Sequence, residues 1–175
     1  MAQAGVIWSH ADCKRAGVRP VSIAHSNLKD WRATQVVTHA HGGTLANYVP
    51  FYFAPRSPML YAIARNAVAG YEEGQDPIAH LVVAVEDVAV PGLFVITDGH
   101  PVMEISCQFG DLRALDSQID WKVMYSRYWR DADRDGDRTR RRQAEFLVWS
   151  AVPFAAVQLI GVKTDEMARR VRLML

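Results

Sequence analysis

The sequence is poor in cysteine, in long apolar runs and in net charge, and each shortage excludes a class of protein. Only two cysteines are present, Cys13 and Cys107, and no CxxC pair occurs, which argues against a disulfide framework and a zinc site. Two free, buried thiols in a reducing compartment are expected instead. No apolar run reaches the roughly 20 residues that span a bilayer. The formal net charge is only +1, so nucleic-acid binding would need a local basic patch.

The common catalytic fingerprints are also missing. No GxGxxG follows a predicted strand, and GxxxxGK[ST], HExxH and GxSxG do not occur, which excludes the usual dinucleotide, phosphate-loop, zinc-peptidase and hydrolase motifs. His39 and His41 could bind a metal together, but no third ligand stands at a telling spacing, so we expect no metal. The first ten residues lack a basic region followed by an apolar stretch, so no signal peptide is expected and the cytoplasm is the expected compartment.

What is present fits one compact α+β domain of 175 residues, half of them apolar. Short strands and a few helices occur without steady βαβ alternation, which predicts a mostly antiparallel or split sheet. Ser57 followed by Pro58 predicts the start of a helix, and Asn27 could cap another from Leu28 onward. The predicted strands are residues 6–8, 48–54, 78–85 (buried), 93–97, 143–149 and 154–162. The helix that starts at Ser57 and Pro58 is predicted to span residues 59–69, and another is predicted for 116–129. Residues 163–175 are predicted to form a short amphipathic helix or a tail.

Two segments could carry chemistry, and the first is residues 48–60. It reads as an aromatic strand, kept at a sheet edge by Pro50, followed by a sharp break. Arg56 lies in that break between two prolines, where a fixed backbone suits bidentate binding of a phosphate or carboxylate. The alternative is an edge strand with a surface arginine.

The second segment is residues 140–148, which contains Glu145. If Ala144, Phe146 and Val148 face the core, the period of two turns Glu145 and Leu147 to the other face, where the carboxylate could project into a cleft. Residues 130–142 hold six arginines and four aspartates, so we expect a solvated segment that supplies no core. Its last three arginines could hold a phosphate backbone. The alternative is a charged strand start on the surface.

Together these segments resemble the DarT family, the DNA ADP-ribosyltransferase toxins of toxin–antitoxin pairs. The resemblance runs in order over nearly the whole chain, and YVPFYFAPRSPMLY at residues 48–61 is its longest and most specific part. The other matching stretches are residues 22–25, Lys29, Arg32, and residues 96–100, 119–121, 141–148 and 152–154.

The resemblance implies an ADP-ribosyltransferase-like fold and transfer of ADP-ribose from NAD to thymidine in single-stranded DNA, without a metal. It implies a loop from about residue 101 to 145 that presents the DNA, an element around residues 39–58 that covers NAD, and a DarG-like macrodomain antitoxin as partner. The resemblance assigns Glu145 and Arg56 as catalytic residues. It assigns Arg56, Tyr48 and Ser57 as NAD contacts. The DNA contacts are expected to be Arg140, Arg141, Arg142 and Trp129, with Tyr128 or Tyr125 as further stacking faces.

One departure bears on activity. Family members begin with a strand carrying His-x-Thr, a helix and a Gly-Leu-Leu-like turn, whereas Met1 falls near that turn here and His10 is not in such a setting. The resemblance implies that this segment contacts NAD on the nicotinamide side, so weak or absent NAD turnover is expected without it. Two other readings therefore stay open: a catalytically impaired module that binds nucleic acid or antitoxin, and a transferase acting on protein or RNA.

Overall fold

The computed structural model describes residues 5–23, 26–39 and 41–175 of the chain. In these ranges every strand pairing is antiparallel, in agreement with the predicted α+β class. The strands are β1 (Val6–Trp8), β2 (Tyr48–Tyr52), β3 (Ala79–Val83), β4 (Phe94–Thr97), β5 (Gln108–Phe109), β6 (Glu145–Trp149), β7 (Ala151–Pro153) and β8 (Val157–Val162). The α-helices are α1 (His10–Arg15), α2 (Ser26–Thr34), α3 (Pro58–Ala64), α4 (Val85–Val88), α5 (Ala114–Ser117), α6 (Trp121–Tyr125), α7 (Arg138–Arg141) and α8 (Asp165–Met174).

The sheet is split into three parts, as predicted. The largest has four strands in the order β2-β6-β4-β5, and the pairs β1-β7 and β3-β8 form separate two-stranded sheets. Strand β2 lies at an edge, which accommodates Pro50 because proline cannot donate to a neighbouring strand. Strands β4 and β6 lie in the middle and are buried over nearly their whole length, as continuous apolar runs require.

The alternation predicted for the segment around Glu145 is confirmed. Ala144, Phe146 and Val148 belong to the main apolar cluster on one face of the sheet. Leu147 belongs to a second cluster on the other face, together with Tyr48 and other buried side chains. Glu145 therefore starts β6 on the same face as Leu147, because side chains two positions apart share a face.

The helix ends are set by local capping groups. Ser57 caps α3 as predicted, since its Oγ accepts the Leu60 amide at 3.1 Å and Pro58 follows at the first helical position. The prediction that this helix reaches residue 69 is wrong, because Asn66 adopts a positive φ of 51°. The helix predicted for residues 116–129 is two short helices, since Asp120 leaves the helical conformation and caps α6 by accepting the Val123 amide. Helix α2 begins at Ser26, so Asn27 lies inside it rather than at its cap.

Three other predictions on burial and membrane insertion can be compared with the structure. Strand β3 is not buried, because it pairs only with β8 outside the main sheet and leaves Val82 47% exposed. Cys13 is buried as predicted, but Cys107 is exposed. Within the described ranges, no helix has the length and apolarity needed to cross a membrane.

Replacement of the central apolar side chain Leu147 tests this account of the core. Leu147→Ala should lower the free energy of unfolding by about 2–5 kcal/mol, because it removes a completely buried side chain and leaves a cavity. The matched control is Leu159→Ala on the exposed face of β8, which should change it by less than about 0.5 kcal/mol. Urea denaturation gives both values, and equal effects would contradict the assignment of Leu147 to the core.

Candidate active site

The site is built around Glu145, the first residue of the central strand β6. Only 3% of this residue is exposed, so the alternative of a surface strand start is wrong. Its backbone amide donates to the Thr97 hydroxyl at 3.0 Å, and that hydroxyl donates to the Gly99 carbonyl at 2.8 Å. The end of β4 therefore fixes the backbone that carries the carboxylate.

Arg32, from helix α2, pairs with the Glu145 carboxylate. Its Nη1 lies 2.9 Å from Oε2 and 3.2 Å from Oε1, and the arginine side chain is itself mostly buried. A buried carboxylate is costly unless it is paired and hydrogen-bonded, and Arg32 meets both needs. The pair joins two elements that stand 113 residues apart in the sequence.

The second terminal nitrogen of Arg32 is also buried, and Nη2 finds no acceptor among the residues that the structure describes. A buried donor without a partner costs free energy of about 1–3 kcal/mol. Native structures therefore rarely keep one unless it serves a purpose. Arg32 therefore presents a charged N–H group that can donate a hydrogen bond to an oxygen atom of an incoming ligand.

Tyr52 and His100 complete the surroundings of the carboxylate. Tyr52 lies opposite Glu145 in the β2–β6 register, and burial together with the Glu145 charge raises the pKa of Tyr52, so its phenol stays protonated. Burial lowers the pKa of His100; Glu145 opposes this shift and Arg32 adds to it. His100 is therefore neutral at neutral pH, and its Nδ1 accepts the Val102 amide at 3.4 Å, which leaves the ring proton on Nε2.

Several positive charges, Arg32 among them, act on His10. Burial and the charges of Lys29, Lys14 and Arg32 lower the pKa of His10, in that order of importance. Lys29 and Arg32 lie three positions apart on α2, so they share one face of that helix. A positive potential of this kind attracts a phosphate-bearing ligand.

Arg140 holds the loop that carries His100. Its Nη1 donates to Asp98 at 3.1 Å and to the Ser106 hydroxyl at 3.2 Å, while Nε and Nη2 each contact Asp137 at 2.8 Å. Its carbonyl also accepts the His100 amide at 3.0 Å. The guanidinium lies directly against Gly99, where a Cβ atom would stand 2.3 Å from Nη1.

Arg142 is likewise turned inward, and Arg141 is held in ion pairs. Arg142 Nη1 donates to the carbonyls of α6 residues, and Nε donates to the Arg56 carbonyl at 3.1 Å. Arg141 pairs with Asp120 and Asp135. The prediction that residues 130–142 supply no core is therefore wrong at their end, because buried guanidiniums are tolerated where carbonyl and carboxylate acceptors surround them. Phosphate binding by Arg140, Arg141 and Arg142 stays a prediction.

The remaining predicted site residues lie in several places. Tyr48 is buried and donates to the Gly42 carbonyl at 2.8 Å, Ser57 caps α3, and Arg56 is exposed at the turn after β2. Trp129 meets the ring of Tyr61 edge to face, with centroids 6.0 Å apart. Their roles toward NAD and DNA stay predictions.

The structure thus brings Arg32, rather than Arg56, to the carboxylate of Glu145. In the sequence, Arg32 belongs to the resemblance, which implies no role for it. The available signal was a basic pair, Lys29 and Arg32, on one face of a predicted helix. His25, quoted beside them, lies outside the described residues.

Metal binding has no support in the described part of the chain. No group of three or more histidine, cysteine, aspartate or glutamate side chains is arranged there to hold an ion. His41, half of the histidine pair considered above, stacks on Trp149 with ring centroids 4.1 Å apart. Its ring therefore has an aromatic partner in the fold.

Several solved structures share this fold. The structure of Thermus sp. 2.9 DarT in complex with ADP-ribosylated ssDNA matches with a TM-score of 0.88 at 37% identity, over 97% of this chain and 78% of that chain. The structure of the same Thermus protein in complex with NAD+ matches with a TM-score of 0.83 at 36% identity, with the same coverage. The fold is therefore that of an ADP-ribosyltransferase, as the resemblance implies.

Sequence comparison gives the family. A DNA ADP-ribosyl transferase of Thermus sp. (strain 2.9) is 41% identical over 151 residues, which cover 86% of this chain and 70% of the relative. The family model described as "ssDNA thymidine ADP-ribosyltransferase, DarT" matches residues 1–175. The chain belongs to the DarT family, and the resemblance drawn from the sequence is confirmed.

A methyl group at position 99 should disturb the loop that Arg140 holds. Gly99→Ala should lower stability by about 1–3 kcal/mol, because the guanidinium that the new Cβ meets is fixed by three partners. Gly136→Ala is the matched control, since nothing lies within 4 Å of its Cβ position. Thermal unfolding measures both variants, and an unchanged midpoint for Gly99→Ala would show that Arg140 moves aside freely.

The pKa of His100 should respond in opposite directions to the two members of the buried pair. Arg32→Gln should raise it, because a nearby positive charge is lost, and Glu145→Gln should lower it, because a negative charge is lost. NMR titration of the histidine ring signals measures the shift, with the His100→Asn spectrum giving the assignment. Arg169→Gln on α8 is the control and should leave the pKa unchanged. Shifts in the same direction for both variants would contradict the geometry.

Proposed function

We propose that this chain transfers ADP-ribose from NAD to a thymidine base in single-stranded DNA. The observation that carries the proposal is the buried pair of Glu145 and Arg32, in which one guanidinium nitrogen has no acceptor among the described residues. Membership of the DarT family supports it, and so does the close likeness to a Thermus protein whose structures hold NAD+ and ADP-ribosylated ssDNA.

The residues around the carboxylate suit NAD as a substrate. NAD carries two phosphates and two ribose rings, so it brings a negative charge and many oxygen acceptors. The Nη2 donor of Arg32 can donate to one of those oxygens, and the potential of Lys14 and Lys29 favours the diphosphate. Arg56, exposed at the turn after β2, is proposed to contact either the diphosphate or the acceptor base.

Glu145 is proposed to stabilise the reacting ribose. Breaking the bond between nicotinamide and ribose builds positive charge on the sugar, as in glycoside cleavage. A fixed carboxylate in a buried site stabilises such charge more strongly than water does, because it needs no reorganisation. Arg32 orients the carboxylate through both oxygens, so its charge is in place before the bond breaks.

Proton balance gives His100 a role. In the overall reaction, NAD and the base yield the ADP-ribosylated base and nicotinamide, and the base loses one proton. His100 is neutral at neutral pH because burial lowers its pKa, so it can accept that proton. Tyr52 stays protonated beside Glu145, so it acts as a hydrogen-bond donor rather than as a base.

We also propose a DarG-like macrodomain antitoxin as a partner, and a toxin role for the chain. Both proposals rest on the family, whose members are paired with such antitoxins. Two alternatives to the transferase proposal stay open. One is a catalytically impaired module that binds nucleic acid or antitoxin, and the other is a transferase with an RNA or protein target. Stabilisation by NAD separates the first of these from an enzyme, because a ligand that binds the folded state raises the unfolding temperature.

Mass spectrometry of a thymine-containing single-stranded oligonucleotide, incubated with the chain and NAD, tests the proposal. The expected product is the oligonucleotide plus one ADP-ribose. Glu145→Gln should abolish it, and Arg32→Gln should reduce the rate by about 10²-fold or more. Glu166→Gln is the matched control, because Glu166 is an exposed glutamate on α8 that pairs with Arg169.

Substrate controls distinguish the alternatives. An oligonucleotide without thymine should give no product, and an RNA of the same sequence should give little. Modification of RNA alone would move the activity to that target. Absence of both NAD stabilisation and any adduct would contradict the transferase proposal and favour the binding module.

A further inference from the structure

We propose that Thr97 is a positioning residue, which sets the carboxylate of Glu145 and the imidazole of His100 in a fixed relation to each other. Thr97 is the last residue of β4, and its side chain is completely buried. Its hydroxyl bonds to backbone atoms of neighbouring residues, so it acts through the groups that it holds. The inference rests on the proposed function, in which Glu145 stabilises the ribose and His100 accepts a proton.

The Thr97 hydroxyl lies where the pairing of β4 with β6 comes to an end. The register of the two strands runs as far as Ile96 opposite Phe146, so Thr97 and Glu145 stand one step beyond it. There the backbone amide of Glu145 donates to the Thr97 hydroxyl at 3.0 Å. The side chain therefore supplies an acceptor at the point where the ladder of backbone hydrogen bonds stops.

The same hydroxyl also fixes the backbone that leads into His100. It donates its proton to the Gly99 carbonyl at 2.8 Å, and that carbonyl belongs to the peptide unit between Gly99 and His100. A hydroxyl has one donor and two acceptor positions, so Thr97 can serve both neighbours at once. One oxygen atom therefore joins the residue that carries the carboxylate to the peptide that carries the imidazole.

The peptide between Gly99 and His100 is held at both of its polar ends. Its carbonyl accepts the Thr97 hydroxyl, and its N–H, which belongs to His100, donates to the Arg140 carbonyl at 3.0 Å. Because a peptide unit is planar and rigid, two bonds at opposite ends fix the orientation of the whole plane. Arg140 precedes Glu145 by five residues, so both bonds refer the imidazole to the start of β6.

Burial makes the hydroxyl of Thr97 difficult to replace. Thr97 is completely buried and Gly99 is also buried, so water has little access to the groups that they pair. A valine at position 97 would have nearly the same shape as threonine, but the Glu145 amide and the Gly99 carbonyl would lose their shared partner. Buried polar groups left in this state are costly, so the backbone at both sites should shift until each finds another partner.

The electrostatic effect of Glu145 on His100 gives a measure of their relation that needs no substrate. The charge of Glu145 raises the pKa of His100, against the larger effect of burial, while Arg32 lowers it. The strength of such an effect depends on the separation of the two groups and on how much water lies between them. The change in the pKa of His100 caused by Glu145→Gln, here called the Glu145–His100 coupling, therefore reports on the positioning.

NMR titration of His100 and steady-state kinetics together test the role of Thr97. Thr97→Val should reduce the Glu145–His100 coupling to about half or less of its value in the unmodified chain. It should lower kcat by about 10- to 100-fold while KM for NAD stays within about twofold, because it disturbs the geometry of the reacting groups. Thr97→Ser keeps the hydroxyl and should retain the coupling and most of kcat. If Thr97→Val does not fold, Thr97→Cys replaces it, because a thiol is a weak donor and acceptor.

Thr164→Val is the control for a general loss of stability. The Thr164 hydroxyl caps α8 by accepting the Met167 amide at 3.2 Å, and α8 carries none of the candidate site residues. This variant also loses a structural hydroxyl, so it should unfold at a lower temperature while the coupling and kcat stay unchanged. All kinetic measurements are made well below the unfolding temperature of each variant.

The outcomes separate this inference from the proposed function. Unchanged coupling in Thr97→Val, with normal transfer, would overturn the positioning role and leave the enzyme intact. A loss of kcat that Thr97→Ser does not restore, or that Thr164→Val shares, would assign the effect to stability and also overturn it. Reduced coupling in Thr97→Val, without any adduct from the unmodified chain, would support the geometry set by Thr97 and contradict the transferase proposal.

Discussion

The ion pair between Arg32 and Glu145 is the interaction on which the candidate active site depends. It joins helix α2 to the central strand, and both partners are largely buried. Replacing such a pair with apolar residues is often neutral or stabilising, so a buried pair is weak support for a role in stability alone. The Arg32 nitrogen that has no acceptor among the described residues also argues against a role in stability alone. An arrangement kept only for stability would satisfy that donor, whereas a reaction site needs a charged donor ready for a ligand.

The arginines before Glu145 form the supporting shell of this site. Arg140 fixes the loop of His100, and Arg142 fixes the end of α6 and the turn at Arg56. Each buried guanidinium donates in several directions at once, which its planar fork of donors allows and a lysine would not. Catalytic groups act well only when their neighbours hold them to within a fraction of an ångström. In the proposed reaction these residues therefore act by holding their neighbours in place.

Local sequence patterns predicted most elements of the fold, because period and capping depend on near neighbours. The alternation around Glu145 and the Ser57 cap are confirmed on that basis. The exposure of β3 and the inward turn of Arg142 depend on partners far along the chain, and no local pattern contains them. The charged composition of residues 130–142 predicted a fully solvated segment, because composition does not show which guanidiniums find acceptors in the fold. The Arg32–Glu145 pair was missed for the same reason, since its members stand 113 positions apart.

Preference for a single strand follows from the cost of reaching the target base. A duplex offers its phosphates but hides the faces of its bases within the stack. Extruding a base from a duplex costs a few kcal/mol, and an unpaired strand avoids that cost. With a net charge of only +1, the chain has little general attraction for duplex DNA to offset this difference. The proposed reaction at Glu145 therefore favours thymidine in an unpaired strand.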